Sequence, residues 1–120
     1  MEQYSKLDDN GSRFYYNDKA MDTLHKEDGP AMIWDDGTKA WYVNGQLHRE
    51  DGPAVEYADG SRSWYFNGKL HRVGGPALEC SDGDREWLVH GKRLTEEEYN
   101  VWFFNHVRES TLRKIPSGLC

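Results

Sequence analysis

Residues 47–69 read LHREDGPAVEYADGSRSWYFNGK, and the same 23-residue pattern stands once before and once after them. Residues 24–46 read LHKEDGPAMIWDDGTKAWYVNGQ, and residues 70–92 read LHRVGGPALECSDGDREWLVHGK. In chain order these stretches are called the first, second and third unit. They align without gaps, so their His, Gly-Pro, Asp-Gly, Trp and last Gly recur at fixed places. Such self-similarity is typical of repeat proteins, in which one small motif stacks on the next.

Turn residues predict that each unit is a β-hairpin. In every unit an Asp-Gly pair, a preferred hairpin turn, separates two short runs with strand character. These pairs are Asp36-Gly37, Asp59-Gly60 and Asp82-Gly83. Asn44-Gly45 and Asn67-Gly68 turn the chain again, and each Gly-Pro pair interrupts pairing before the next hairpin. The sequence therefore predicts a mainly β fold, a single twisted sheet of stacked antiparallel hairpins.

The two ends of the chain predict caps for this stack, within a single domain of 120 residues. Residues 1–23 form a degenerate half-unit, in which Asn10-Gly11 supplies the turn and residues 14–16 the aromatic strand. Residues 93–110 are predicted to form a capping helix, and residues 111–120 a tail. A repeat stack needs caps because its terminal units otherwise expose apolar surface and unpaired strand edges.

The helix start has a strong local signature. Thr95 is placed as the N-cap and Glu98 at the reciprocal capping-box position. An apolar face at helical spacing follows, made of Tyr99, Trp102, Phe103, His106 and Val107. Val101 and Phe104 fall on the opposite half of the helix, either as scattered exposed apolar residues or as a surface for a partner or a homodimer.

The second strand of each hairpin predicts two different faces. In the first unit Lys39, Trp41 and Val43 alternate with Ala40 and Tyr42, and the other units keep this order. We expect the Trp series to fill the packed face, because large side chains must cover it.

The opposite face is the expected binding surface. It carries the Tyr residues that follow Trp in the first two units, with His and Arg side chains at its edge. The predicted binding residues are Tyr42, Tyr65, His48, His71, Arg49 and Arg72.

Composition and charge argue against several classes of partner. The net charge of -6 supplies no positive field to attract nucleic acid or an anionic membrane. No stretch approaches the ~18 apolar residues of a membrane helix, and the acidic N-terminal stretch does not resemble a signal peptide. The two cysteines, Cys80 and Cys120, suggest neither a disulfide framework nor a zinc site. We expect a cytoplasmic protein that engages neither nucleic acid nor membrane.

The repeated His and acidic residues resemble an active site, but their spacing argues against catalysis. Equivalent residues of successive units are two strands apart, roughly 10 Å, which is too far to share a metal or to act as an acid–base pair. The third unit also replaces the acidic pair with Val73-Gly74. We predict no enzyme activity, metal or cofactor. The His residues are expected to bond to backbone, while Asp28 and Asp51 organise turns.

The recurring DG…W…NG…LH unit resembles the divergent variant of the MORN repeat (membrane occupation and recognition nexus), over about Asp8 to Lys92. Its LHREDGPA-type units and KRLTEEEY-like helix are similar to those of proteins common in bacteriophages and large DNA viruses. The resemblance implies a stacked hairpin sheet and, in a viral setting, a place in the host cytoplasm.

Two functions fit an extended ladder of this kind. The first is a non-enzymatic binding protein whose sheet surface engages a partner protein, in a viral setting a host defence protein. The alternative is a small-ligand binder that sequesters a nucleotide-type signal, with aromatic rings stacking a base and Arg or His holding phosphate. Lipid binding, which the MORN name suggests, is disfavoured by the net charge of -6.

Overall fold

A computed structural model describes residues 3–108, and of residues 107 and 108 the backbone alone. In chain order the strands are β1 (Tyr4–Leu7), β2 (Arg13–Tyr16), β3 (Met32–Ile33), β4 (Lys39–Ala40), β5 (Tyr42–Val43), β6 (Gln46–Leu47), β7 (Val55–Glu56), β8 (Arg62–Ser63), β9 (Tyr65–Phe66), β10 (Lys69–Leu70), β11 (Leu78–Glu79), β12 (Arg85–Val89) and β13 (Lys92–Leu94). One nine-stranded antiparallel sheet has the order β1-β2-β3-β4-β7-β8-β11-β12-β13. The predicted mainly β fold of stacked antiparallel hairpins is confirmed.

Two short hairpins, β5–β6 and β9–β10, lie outside the main sheet. The chain leaves the sheet at Trp41, whose N–H donates to the Ala54 carbonyl at 2.7 Å, while its own carbonyl accepts from His48 N–H at 3.0 Å. Trp64 divides its backbone bonds in the same way. The expected continuous strand through residues 39–43 is therefore interrupted, because its Trp belongs half to the sheet and half to the small hairpin.

The predicted turns have the backbone that their residues favour. Asn44 and Gly45 both have positive φ, 50° and 82°, as a type I′ hairpin turn requires. In the larger turn Gly37 has φ 96°, and the Asp36 carboxylate accepts the Thr38 N–H at 2.8 Å. Both turn types recur in the later units, so turn chemistry fixes where each strand ends.

The interior of the sheet is thin and made of small side chains. Ala31, Ala54 and Ala77, each directly after Gly-Pro, have no exposed surface. Their small side chains allow neighbouring units to approach closely, and each donates its N–H to the second strand of its own hairpin. Trp41, Trp64 and Trp87, the recurring Trp of the three units, are half-buried, so they cover the sheet rather than fill its centre.

The predicted helix start is confirmed. Helix α1 (Glu96–Phe103) begins after Thr95, and both hydrogen bonds of the capping box with Glu98 are present. A π-helical turn, Phe104–Arg108, follows, so the α-helix is shorter than the expected residues 93–110. Residues 109 and 110, the tail at 111–120 and the Val107 side chain lie outside the described part. No helix within residues 3–108 is long and apolar enough to cross a membrane.

Candidate functional site

Two adjoining cavities lie along one side of the repeat. The 1–2 cavity, of about 730 Å³, is lined by Lys26, Glu27, Asp28, Gly29, Pro30, Trp41, Val43, His48, Arg49, Glu50 and Asp51. The 2–3 cavity, of about 800 Å³, is lined by Arg49, Glu50, Asp51, Gly52, Pro53, Trp64, Phe66, His71, Arg72, Val73 and His90. Nearly every lining position of the first recurs 23 residues later in the second. Because they share residues 49–51, the two form one groove.

At each junction between successive units a cationic side chain stacks on an aromatic ring. The Arg49 guanidinium carbon lies 3.8 Å from the centre of the Trp41 ring, and Arg72 lies 3.8 Å from that of Trp64. One step earlier, Lys26 of the first unit lies 3.8 Å from the centre of the Tyr15 ring of the half-unit. The cation of each unit therefore covers the aromatic residue of the preceding one.

Carbonyl and carboxylate oxygens hold the Arg49 guanidinium in this place. Its Nη1 donates to the Pro53 carbonyl at 3.0 Å and to Glu56 at 3.1 Å, and its Nε donates to Asp51 at 2.9 Å. This hydrogen bond and the charge of Arg49 lower the pKa of the Asp51 carboxyl. A Cβ on Gly52 would stand only 2.9 Å from the guanidinium carbon, so a glycine leaves the room that the stacked Arg occupies.

The repeated His side chains bond to backbone, as expected for structural residues. In each unit His Nδ1 accepts the N–H of the first residue of the second turn, at 2.9–3.0 Å. An accepting Nδ1 in a neutral ring places the proton on Nε2. In the first two units this nitrogen faces a carboxylate, at 3.6 Å between His25 and Glu27 and 3.9 Å between His48 and Glu50. Within the described part of the chain, no three His, Cys, Asp or Glu residues form a metal-binding group.

An aromatic chain connects the 2–3 cavity to the helix. Phe66 lies between His48 and His71, with ring centres 4.5 and 6.1 Å apart, and His71 stacks on His90 at 4.1 Å. The Trp102 ring stands nearly perpendicular to the His71 ring, with ring centres 6.0 Å apart. Burial lowers the pKa of the His71 ring, and the electrostatic effect of the nearby His90 lowers it further. Sequence reasoning missed His90, although alignment of the units places it where the first two have Asn44 and Asn67.

The structure separates the predicted binding residues into two groups. His48, His71, Arg49 and Arg72 line the groove, together with Trp41 and Trp64. Tyr42 and Tyr65 line neither cavity. Burial raises the pKa of both hydroxyls, and the electrostatic effect of the neighbouring Tyr57 raises it further. The aromatic rings beside the cations are thus those of Trp, which sequence reasoning placed in the core.

The predicted helix surface is exposed. Val101 is 61% and Phe104 54% accessible, whereas Tyr99 is buried against the repeat. The Tyr99 hydroxyl donates to the Arg72 carbonyl at 2.6 Å and accepts the Gly74 N–H at 2.8 Å. Tyr99 of the helix is thus hydrogen-bonded to the loop that carries Arg72.

Comparison with known protein families, curated proteins and solved structures finds no match for the chain.

Proposed function

We propose that the chain is a non-enzymatic binding protein that engages a partner protein along the groove formed by the 1–2 and 2–3 cavities. The observation that carries the proposal is the recurrence of one cavity, built from equivalent residues 23 positions apart. The Arg and His side chains within it are already held by rings, carboxylates and backbone. This favours a preorganised recognition surface over groups that move protons.

The spacing of the groove matches an extended polypeptide. One unit adds two strands to the main sheet, which is roughly 9.5 Å at the usual strand separation. In the polyproline II conformation three residues complete one turn and span roughly 9.3 Å. A partner segment in this conformation, running across the strands, would therefore present every third side chain to an equivalent place.

The rim of the groove favours a segment with basic side chains over the first two units. The side chains of Glu27, Glu50 and Asp51 are 76%, 78% and 85% accessible. Opposite charges on a partner would steer association and select the register, with a strength that falls as salt rises.

Charge reversal on this rim tests the proposal. We would immobilise the wild-type chain, the Glu27→Lys/Glu50→Lys variant and, as a matched control, Asp9→Lys/Asp35→Lys. All four positions are exposed, and the control pair lines neither cavity. Proteins retained from a bacterial extract would be quantified by mass spectrometry and titrated to saturation.

A partner should be retained by the wild type and the control, and lost from the groove variant. Equal retention on all three, or the absence of any saturable protein, would refute the proposal. On the resemblance to viral and phage MORN-type proteins, we further propose that the partner is a host defence protein. In that case, expression of the wild type, but not the groove variant, should restore plaque formation by a phage that such a system restricts.

The volumes of the cavities favour one alternative, a nucleotide-type small ligand. About 730 and 800 Å³ lie in the range of small-molecule sites, and Trp and Arg are present in both. The acidic rim of the first two units opposes a phosphate in the 1–2 cavity, which makes this the second candidate. A thermal-shift series with mono- and dinucleotides separates the two, since a saturable rise in Tm would support the small ligand.

A further inference from the structure

The second unit carries its own acidic ligands for the groove cations. Asp51 accepts from Arg49 Nε at 2.9 Å, and Glu50 lies 3.9 Å from His48 Nε2. Two adjacent acidic residues of one loop thus face the Arg and the His that precede them in sequence. The second unit therefore shows, within this chain, how a Glu-Asp pair fits beside the Arg and the His of a unit.

The third unit keeps the basic side chains and lacks the acids. Arg72 repeats the stack on Trp64 and the Nη1 bond to its glutamate, Glu79, at 3.2 Å. Its Nε has no acceptor within the part of the chain that the structure describes. His71 Nδ1 accepts His90 N–H at 2.9 Å, so its Nε2 carries the proton, as in the second unit.

Val73 and Gly74 occupy the positions of Glu50 and Asp51. Arg72, His71 and Val73 all line the 2–3 cavity, whereas the helix residues Tyr99 and Trp102 do not. The helix therefore packs against this loop through Tyr99 without lining the 2–3 cavity.

Resting on the proposed function, we infer that the 2–3 cavity binds an acidic Glu-Asp segment of the partner protein. One carboxylate would accept from Arg72 Nε, as Asp51 does from Arg49, and the other would lie beside His71 Nε2, as Glu50 lies beside His48. Charge-assisted hydrogen bonds to Arg are among the stronger polar contacts, and Arg forms them with carboxylate and phosphate groups.

The acidic residues that line the 2–3 cavity do not exclude such a segment. Glu50 and Asp51 themselves line the 1–2 cavity together with Glu27 and Asp28. Two acidic pairs are thus already present in one cavity one unit earlier. A partner that fits both cavities would carry basic side chains over the rim of the first two units and acidic ones over the third.

Titration of the ¹⁵N-labelled chain with acetyl-Glu-Asp-Gly-amide, followed by NMR, tests the inference. The Arg72 Nε–H resonance should shift saturably, and acetyl-Gln-Asn-Gly-amide should leave it unchanged. Arg72→Lys keeps a stacked cation, as Lys26 is in the first unit, and removes the Nε donor. It should weaken binding about tenfold or more, the loss expected for one charge-assisted hydrogen bond. Val73→Glu, which places an acid beside His71, should also weaken it.

Arg62→Lys is the matched control, because Arg62 contacts the same Glu79 and Trp64 but does not line the 2–3 cavity. It should bind the acidic peptide like the wild type. Equal binding of the amide peptide, equal affinity of Arg72→Lys, or tighter binding of inorganic phosphate than of the peptide would overturn the inference. If Glu27→Lys/Glu50→Lys loses the partner while Arg72→Lys retains it and no peptide shift occurs, the inference fails and the proposed function stands.

Discussion

Replacing Gly52 with Ala isolates the contribution of the stacked arginine. Both Gly52 and its first-unit equivalent Gly29 precede a proline, which favours extended backbone that Ala adopts without strain. At Gly52 the new Cβ would lie 2.9 Å from the Arg49 guanidinium carbon, whereas at Gly29 the nearest Lys26 atom is 3.8 Å away. The same substitution therefore displaces a pinned cation in one unit and meets ordinary contact in the other.

The expected loss of stability of Gly52→Ala follows from the contacts that Arg49 would lose. Moving the guanidinium off Trp41 weakens a cation–π contact of about 0.5–2 kcal/mol. The pair with Glu56, whose side chain is 38% accessible, adds about 0–1 kcal/mol. We expect Gly52→Ala to destabilise the fold by about 1–2 kcal/mol, which lowers Tm by roughly 3–10 °C in a domain of this size. Gly29→Ala should be neutral or stabilising by about 0.4–1 kcal/mol, because Ala restricts the unfolded chain.

Thermal and urea denaturation, followed by tryptophan fluorescence, would measure both variants. A double-mutant cycle with Arg49→Ala completes the test, since without the arginine Gly52→Ala should behave like Gly29→Ala. If Gly52→Ala is as stable as Gly29→Ala in the wild-type background, or if its cost persists without Arg49, the reasoning is refuted.

Two further predictions concern the junction with the helix. The lowered pKa of His71 means that the unfolded chain binds more protons, so stability should decrease as pH falls from the unfolded value of about 6.5 through the lower folded value. His71→Asn, which retains an acceptor for His90 N–H, should flatten this part of a Tm–pH profile; an unchanged slope would contradict the assignment. Tyr99→Phe should cost about 1–3 kcal/mol in urea unfolding because it leaves the Gly74 N–H without its hydroxyl acceptor, while Tyr57→Phe, at an exposed ring, should cost nothing measurable.

Local signals predicted most of the fold. The Asp-Gly and Asn-Gly turns and the Thr95–Glu98 capping box depend on residues close in sequence, and each forms as expected. The break in the strand at Trp41 depends instead on which backbone group pairs with the neighbouring unit. A prediction from alternating side chains assumes that both backbone hydrogen bonds of a residue lie in the same sheet. It therefore could not indicate that the N–H of Trp41 pairs in the main sheet and its carbonyl in the small hairpin.

The residues that line the groove were predicted only in part. His48, Arg49, His71 and Arg72 were recognised because they recur, and they do line one groove. Their aromatic neighbours were assigned from strand faces, which led to Tyr rather than Trp. The stack joins Arg49 to a ring eight positions back, across a turn whose geometry sets the contact. A usable signal was nevertheless present, since each cation follows an aromatic residue of the preceding unit, starting with Tyr15 and Lys26.

The placement of each cation on the ring of the preceding unit makes the length of the protein adjustable. A unit offers a bare aromatic ring at one end and a cation at the other, so any two units are compatible neighbours. Gain or loss of 23 residues would preserve every junction, while a change of one or two residues within a unit would disturb two of them. Only the ends need dedicated sequences, the Tyr15 half-unit and the helix after Thr95. Such a chain can lengthen or shorten its groove by whole steps without a new fold.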